Sequence, residues 1–341
     1  MNLHGFPRRG YVTSPTPIEP LPRFSRALGA GIEVFAKRDD LLPGCLGGNK
    51  TRKLDFCLGE AMSRGATAVI TCGAVQSNHC RLTLAWAIHE GLDCHLVLEE
   101  RVPGSYLPHG SGNNLVFNLL GANSVTVVPG GAPVQEIMSS LARKIADGGA
   151  RPYVIPGGAA DPLGALGYAA CVQEISLQLM DSDPGFRTMV CASGSGGTQA
   201  GLLAGLEASS TPLSVVGINV RRPSRADQER LILGLANDAL ALLGRPRDLD
   251  PGKVVCLERF LGPGYSIPDQ GTLEAIRLLA RTEAILADPV YTGKSLAGLV
   301  GLAREGFFEK NEPVLFLHTG GAPAIFGYAG LFGEVPPSLH G

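Results

Sequence analysis

Short apolar, β-branched runs alternate with longer amphipathic stretches along most of this chain, and this alternation constrains the fold more than any other feature. The run "ATAVITCG" precedes "AVQSNHCRLTLAWAIHEG", "NSVTVVPGG" precedes "APVQEIMSSLARKIADGG", and "RTMVCASGSGG" precedes "TQAGLLAGLEAS". Strands that alternate with helices of this length pair mainly in parallel and gather ligands at their carboxyl ends. The 341 residues suit two domains better than one. The sequence therefore predicts an α/β fold of two doubly wound, mostly parallel sheets with helices on both faces.

Composition and charge indicate a soluble globular protein and exclude several classes of partner. Apolar residues make up 45% of the chain and charged residues 18%, and the formal net charge is −2. The basic residues are dispersed, which argues against nucleic acid and anionic membranes as partners. The first residues lack the apolar core of a secretory signal, and no stretch has the apolar length of a membrane-spanning helix. We therefore expect a cytoplasmic protein.

The eight cysteines are scattered along the chain and form no pattern that carries chemistry. They make no CxxC pair and no Cys/His cluster at zinc spacing. In a long cytoplasmic chain such thiols are mostly small buried apolar groups. The sequence therefore predicts no metal site.

A glycine-rich loop follows one predicted strand in "CASGSGGTQAG", residues 191–201. Glycines allow backbone N–H groups to converge, and the N-terminus of the following helix adds partial positive charge, so this loop is suited to a phosphate. The loop lacks the lysine of a Walker A motif, and its spacing departs from the dinucleotide pattern G-x-G-x-x-G. A tight turn without a ligand is the alternative.

Two further strand ends carry polar side chains. Ser77, Asn78 and His79 stand between a strand and a helix, where they either bind a carboxylate or simply cap the helix. The segment "HTGGAPAIFGY", residues 318–328, turns through paired glycines into a predicted helix, and taken alone its polar residues are typical of core or capping groups. Three such ends in one chain favour a single cleft that collects them.

Two lysines, Lys50 and Lys53, stand at the start of a predicted helix behind "GGN". A lysine becomes a nucleophile only when its ammonium loses a proton. Lys50 follows glycine backbone that can approach a flat group closely, and Lys53 lies near enough to neutralise a phosphate. The alternative is that both are ordinary solvated helix lysines.

Nearly the whole chain resembles a known family. The motifs that carry this resemblance, in order along the chain, are "KRDD", "GGNKTRKLDF", "GAVQSNH", "GSGGTQAG", "GPGYSIP", "DPVYTGKSLAGL" and "HTGGAPA". They are similar to those of the D-cysteine desulfhydrase and aminocyclopropane-carboxylate (ACC) deaminase family, pyridoxal 5'-phosphate enzymes of the tryptophan-synthase-β fold type (fold type II).

The resemblance implies roles for particular residues. Lys50 would hold the cofactor covalently and remove the α-proton of an amino acid, and Ser77 would contact the substrate carboxylate or shuttle a proton. Two tyrosines would flank the substrate. The implied catalytic residues are Lys50, Ser77, Tyr265 and Tyr291. The implied cofactor-binding residues are Lys50, Lys53, Asn78, Gly194, Ser195, Gly196, Gly197, Thr198 and Thr319. The implied substrate-binding residues are Ser77, Asn78 and His79.

One substitution indicates which activity of the family this chain would have. ACC deaminases typically read "YEGK" where this chain reads "YTGK", so Thr292 replaces a glutamate that pairs with the pyridine nitrogen, and Thr319 becomes the candidate partner. A hydroxyl holds the pyridinium charge less well than a carboxylate does, which favours a substrate with a good leaving group on Cβ. We therefore expect β-elimination from D-cysteine to pyruvate, sulfide and ammonia. The alternatives are an L-cysteate sulfo-lyase, then an ACC deaminase, and finally a non-catalytic cofactor- or phosphate-ligand-binding protein.

The resemblance also implies a domain arrangement. A smaller domain, 49–160, would be inserted into a larger one formed by 1–48 and 161–341, with the cofactor in the cleft between them. Family members are commonly homodimers, so a homodimer is expected. The segment 101–113 is left open between a lid and a simple loop.

Overall fold

The computed structural model describes residues 1–107, 109–245 and 248–333, so Pro108 of the 101–113 segment lies outside the described residues. The first of two sheets has six strands, and all its pairs are parallel except β1 with β2. In spatial order its strands are β1 (Ile18–Pro20), β2 (Glu33–Arg38), β10 (Pro313–His318), β7 (Thr188–Ser193), β8 (Ser214–Asn219) and β9 (Val255–Leu257).

The second sheet has four strands, all parallel. In spatial order they are β5 (Ser124–Pro129), β4 (Asp93–Glu100), β3 (Ala68–Ala74) and β6 (Pro152–Ile155). The two mostly parallel sheets confirm the predicted fold class. The second sheet lies within 49–160 and the first is built from chain on either side, but the domain limits themselves stay a prediction.

Helices connect the strands. They are α1 (Pro22–Leu28), α2 (Lys50–Ser63), α3 (Asn78–His89), α4 (Asn113–Leu120), α5 (Val134–Asp147), α6 (Pro162–Asp181), α7 (Gly197–Ser209), α8 (Arg225–Leu242), α9 (Gln270–Glu283) and α10 (Thr292–Arg304). Short 3-10 helices span Asp39–Leu41, Gly157–Ala159 and Pro251–Lys253, and a longer one spans Ala322–Leu331. The helix expected after "HTGG" is therefore of the 3-10 type. No helix in the described ranges is both long and apolar enough to cross a membrane.

Alternating side chains on the strands of the larger sheet fill two separate cores. Met189, Cys191 and Leu315 pack with residues of α6, α7 and α8 on one face. Val190 and Phe316 pack with residues of α1, α9 and α10 on the other. Because successive strand residues point to opposite faces, continuous apolar runs such as "VLFL" are what a sheet covered on both faces requires. This burial fixes the strands whose carboxyl ends form the site.

Candidate functional site

A cavity of about 540 Å³ lies where the carboxyl ends of strands from both sheets meet. The predicted site residues that line it are Lys50, Ser77, Asn78, His79, Gly194, Ser195, Gly196, Thr198, Tyr265, Tyr291 and Thr319. They follow β2, β3, β7, β9 and β10 along the chain, so the three polar strand ends noted in the sequence do converge on one cleft. Lys53 and Gly197 do not line the cavity, but Lys53 Nζ donates to the carbonyl of Gly158, which does.

Lys50 begins α2, and its Nζ donates to Asn49 Oδ1 at 2.8 Å. Burial lowers the pKa of its ammonium well below the usual range, and the charge of Lys53 adds to the lowering, while Asp288 opposes it. A lysine whose pKa is lowered loses its proton more readily, and the free amine is a nucleophile and a base. Lys50 is therefore not the solvated helix lysine of the alternative interpretation.

Lys53 lies one turn further along α2 and is fully buried. Its Nζ donates to the Gly158 carbonyl at 3.1 Å, and a Cβ built on Gly197 would come within 2.9 Å of it. Burial lowers the pKa of this ammonium to about 8. The positive charge thus lies against the backbone of the glycine-rich loop, where an anion held by that loop would stabilise it.

The glycine-rich loop leads into α7, whose N-terminus has no side-chain cap. The amides of an uncapped first turn are free to bind another acceptor, and the helix dipole favours an anionic one. Thr198 presents its hydroxyl beside the cavity, 3.2 Å from the Asn49 amide nitrogen. This hydrogen bond joins the loop to the residue that precedes Lys50.

The N-terminus of α3 forms a second polar end of the cavity. Ser77 caps the helix by accepting from the Cys80 amide at 3.1 Å, as one interpretation of the sequence predicted, and it also lines the cavity. Asn78 accepts from Asn113 Nδ2 at 2.8 Å, which fixes its amide plane. His79 is almost entirely buried, with Nε2 2.7 Å from the Thr71 hydroxyl, and burial lowers its pKa well below the usual range. The ring is therefore neutral.

Asp288 is a buried carboxylate at the cavity wall that the sequence analysis did not single out. Its Oδ1 accepts from the amides of Val290 and Tyr291, both at 2.8 Å, and its Oδ2 accepts from the Thr292 amide and hydroxyl at 3.0 and 2.7 Å. Burial raises its pKa, and the Thr292 hydrogen bonds oppose this. The Thr292 hydroxyl is thus committed to Asp288, whereas Thr319 lines the cavity.

Tyr265 and Tyr291 lie side by side, with ring centroids 5.8 Å apart and planes at 73°. Their hydroxyl groups are hydrogen bonded to each other. Burial raises the pKa of Tyr291 well above its usual range, and the neighbouring Tyr265 adds to this. A Cβ on Gly194 would lie 3.1 Å from the Tyr291 ring, so this tyrosine stands directly beside the glycine-rich loop.

The space beside two glycines indicates whether the cavity suits a flat cofactor with a phosphate. A Cβ on Gly158 would lie 2.6 Å from Ser195 Oγ and 3.9 Å from Lys50 Cε, filling the space between Lys50 and the loop. A Cβ on Gly321 would lie 2.5 Å from Asp288 Oδ2 and 2.9 Å from Asn78 Nδ2. Both glycines have positive φ, +73° and +104°. The residues present therefore fit pyridoxal phosphate, with room kept open beside Lys50 and beside Asn78.

Comparisons with known proteins agree with this geometry. Residues 11–320 match the sequence profile of a family described as pyridoxal-phosphate dependent enzyme. The solved structure of an ACC deaminase homologue is 38% identical, covers 96% of each chain and superposes with a TM-score of 0.85. The structure of an O-ureido-L-serine synthase is 17% identical, covers 96% of each chain and has a TM-score of 0.67. The structure of a fungal L-serine ammonia-lyase from Rhizomucor miehei is 19% identical, covers 91% of this chain and 94% of its own, and has a TM-score of 0.63. The last two show the fold alone. The chain belongs to the pyridoxal-phosphate dependent enzymes.

Proposed function

We propose that this enzyme is a β-eliminating lyase that converts D-cysteine to pyruvate, ammonia and sulfide. The observation that carries the proposal is the buried amine of Lys50, which shares one cavity with Ser77 and with the hydrogen-bonded pair of Tyr265 and Tyr291. Such an arrangement places a base, a carboxylate-binding helix end and a proton carrier around one substrate-sized space.

Each group has a defined task in this scheme. The bound cofactor supplies the electron sink that makes an α-proton acidic. Lys50 takes that proton, because its pKa is depressed. The N-terminus of α3, with Ser77, holds the substrate carboxylate. The tyrosine pair shields the β-substituent from water and passes a proton to it as it leaves, which its hydroxyl-to-hydroxyl bond allows.

The ACC deaminase homologue raises ring opening as another activity, and the region around Thr292 favours elimination instead. The Thr292 hydroxyl bonds Asp288 rather than facing the cavity, and four donors already occupy the Asp288 oxygens. Thr319 then offers a hydroxyl, not a charge, to a ring nitrogen. A weaker electron sink favours a substrate whose β-substituent leaves readily over a carbanion that must persist.

The proposal is tested by supplying D-cysteine, L-cysteine and ACC separately to the cofactor-loaded protein and measuring keto acid and sulfide. We expect equimolar pyruvate and sulfide from D-cysteine. A four-carbon keto acid from ACC, with no sulfide from either cysteine, would contradict it.

Lys53→Met is expected to move apoprotein stability and cofactor affinity in opposite directions. The variant removes a buried charge, so the apoprotein should gain about 2 kcal/mol at pH 7. The pKa of Lys53 is about 8 in the folded protein and 10.5 for an unperturbed lysine. The wild-type apoprotein therefore gains stability as pH rises between these values, and its stability difference from Lys53→Met should shrink there. Cofactor affinity should fall about 10- to 100-fold, because a charge-assisted phosphate contact is lost. Urea unfolding and cofactor titration measure the two effects; loss of both would contradict the assignment.

Tyr291→Phe is expected to lower kcat for D-cysteine about 100-fold with little change in KM, because proton transfer to the leaving group is lost while packing is kept. Steady-state kinetics measure this. Tyr328→Phe is the matched control, since the Tyr328 hydroxyl bonds the Ser266 carbonyl at 3.3 Å and does not line the cavity. Equal effects of the two substitutions would contradict a role for Tyr291 in proton transfer.

A further inference from the structure

Three guanidinium groups that the proposed reaction does not use line one part of the cavity. Arg101 directly follows β4 in the smaller sheet, and Arg221 and Arg222 follow β8 in the larger one. The two sheets therefore bring these charges together from positions more than a hundred residues apart in sequence.

The three cations have few anionic partners. Arg101 forms an ion pair with Glu99 at 2.5 Å. Arg222 donates through Nη1 to neutral acceptors, the Gly194 carbonyl at 3.0 Å and Gln228 Oε1 at 2.7 Å. The guanidinium of Arg221 makes no hydrogen bond or ion pair with any residue that the structure describes, although it lines the cavity. Among the described carboxylates that line the cavity, only Glu99 forms an ion pair with a member of this group, and its partner is Arg101.

Repulsion within this group acts on Arg222. Partial burial lowers the pKa of Arg222, and the charges of Arg221 and Arg101 lower it further. Arginine forks bind planar and tetrahedral oxyanions through paired hydrogen bonds, and each such contact is stronger than one between neutral groups. A group of arginines with spare donors at a cavity wall is therefore suited to an oxyanion.

The position of the cluster indicates which part of a substrate it faces. The substrate carboxylate and the cofactor phosphate each have a separate place, at the N-terminus of α3 and at the glycine-rich loop. Arg101 Cζ lies 4.5 Å from the centroid of the Tyr265 ring, one of the two tyrosines beside the β-substituent in the proposed reaction. The arginine cluster is thus available to a third anionic group, one carried on the β-carbon of the substrate.

We propose that Arg101 and Arg221, supported by Arg222, form a subsite for an oxyanion on the β-carbon of the amino-acid substrate, such as a sulfonate. This inference rests on the β-elimination of the proposed function and adds to D-cysteine a second class of substrate, amino acids with an oxyanion on the β-carbon. For a β-sulfonate, the base removes the α-proton, the Cβ–S bond breaks, and its electron pair leaves with sulfur as sulfite. The remaining 2-aminoacrylate takes up water and gives pyruvate and ammonium, with no net oxidation or reduction.

A binding experiment tests the subsite without any turnover. Aspartate carries an anion on Cβ and asparagine is its neutral isostere, so their dissociation constants on the cofactor-loaded protein are compared by calorimetry, for both enantiomers. We expect the better-bound hand of aspartate to bind at least about tenfold more tightly than asparagine. Arg221→Gln should abolish this preference, and Arg230→Gln, which changes an exposed arginine away from the cavity, should keep it. No preference in the wild type, or an undiminished preference in Arg221→Gln, overturns the subsite.

Steady-state turnover distinguishes failure of the arginine subsite from failure of the proposed lyase activity. Arg221→Gln should raise KM for cysteate about 10- to 100-fold and change KM for cysteine less than about threefold. Equal losses for both substrates, or loss of cofactor affinity in Arg221→Gln, would mean that the arginines serve the cofactor or the fold, and would overturn the subsite. Absence of pyruvate from every substrate would instead overturn the lyase assignment and leave the aspartate comparison valid.

Discussion

Lys50→Ala is expected to lower kcat for pyruvate formation by about 10⁴-fold or more, to the limit of detection. Lys50 is the single lysine among the described residues that line the cavity, and burial depresses its pKa so that its amine is free to react. In the proposed reaction, the variant loses both the covalent attachment point and the base. A coupled assay for pyruvate measures the loss.

A matched control separates this effect from a general loss of folding. Lys144→Ala changes an exposed lysine near the C-terminal end of α5 that does not line the cavity, and should retain full activity. The Lys50→Ala protein should still bind the cofactor non-covalently, because the glycine-rich loop and Lys53 are unchanged. Near-normal turnover in this variant would show that another group is the base.

The second large effect is expected for Arg52→Ala, which should destabilise the apoprotein by about 3–5 kcal/mol. Arg52 lies on α2 between Lys50 and Lys53, but its side chain is 2% exposed and bonds Asp39 and Glu174 instead of lining the cavity. It donates to both Asp39 oxygens at 2.8 and 2.9 Å and to both Glu174 oxygens at 2.7 and 2.9 Å. Among the described residues, removing it leaves the fully buried Asp39 carboxylate without an ion-pair partner and leaves Glu174 with Lys37 alone. Urea unfolding of the apoprotein measures the change.

An exposed arginine on the same helix gives the comparison. Arg64→Ala breaks an ion pair with Glu60 in which the arginine side chain is 68% exposed, and should cost about 0.5 kcal/mol or less. Burial opposes ionisation of Asp39, but Arg52 outweighs it and holds the pKa of Asp39 below its usual range. The wild type therefore loses this stability as pH falls below about 4, and Arg52→Ala should show less of that loss. Equal costs for the two substitutions would contradict the network's role.

Local signals sufficed to predict much of this molecule. Runs such as "ATAVITCG" and the following amphipathic stretch became β3 and α3, because burial on both faces of a parallel sheet leaves a continuous apolar pattern. Ser77 could be assigned as a cap because capping depends on the next three residues. The glycine-rich ends of β7 and β10 could be expected to meet, since parallel strands of one sheet share a carboxyl edge, whereas β3 belongs to the other sheet and its end reaches the cleft only through packing of the two sheets.

Other features depend on contacts between distant segments and had no local signal. In the sequence, Asp288 resembles an ordinary loop aspartate before a proline. Only the folded structure shows that it is buried at the cavity wall and hydrogen bonded to Thr292. Arg101 and Arg221 each resemble a solvated arginine until two sheets bring them to one cavity. Asn49 precedes Lys50 in "GGN", but nothing in the sequence indicates its hydrogen bond to Thr198. In each case the partner lies many residues away, so spacing carries no information about it.

The most direct test of β-elimination is to incubate the cofactor-loaded protein with D-cysteine and quantify pyruvate and sulfide together, with Lys50→Ala in parallel. The account predicts the two products in equal amounts from the wild type and neither from the variant. Sulfide without pyruvate, or no product from D-cysteine while ACC yields a four-carbon keto acid, would contradict it.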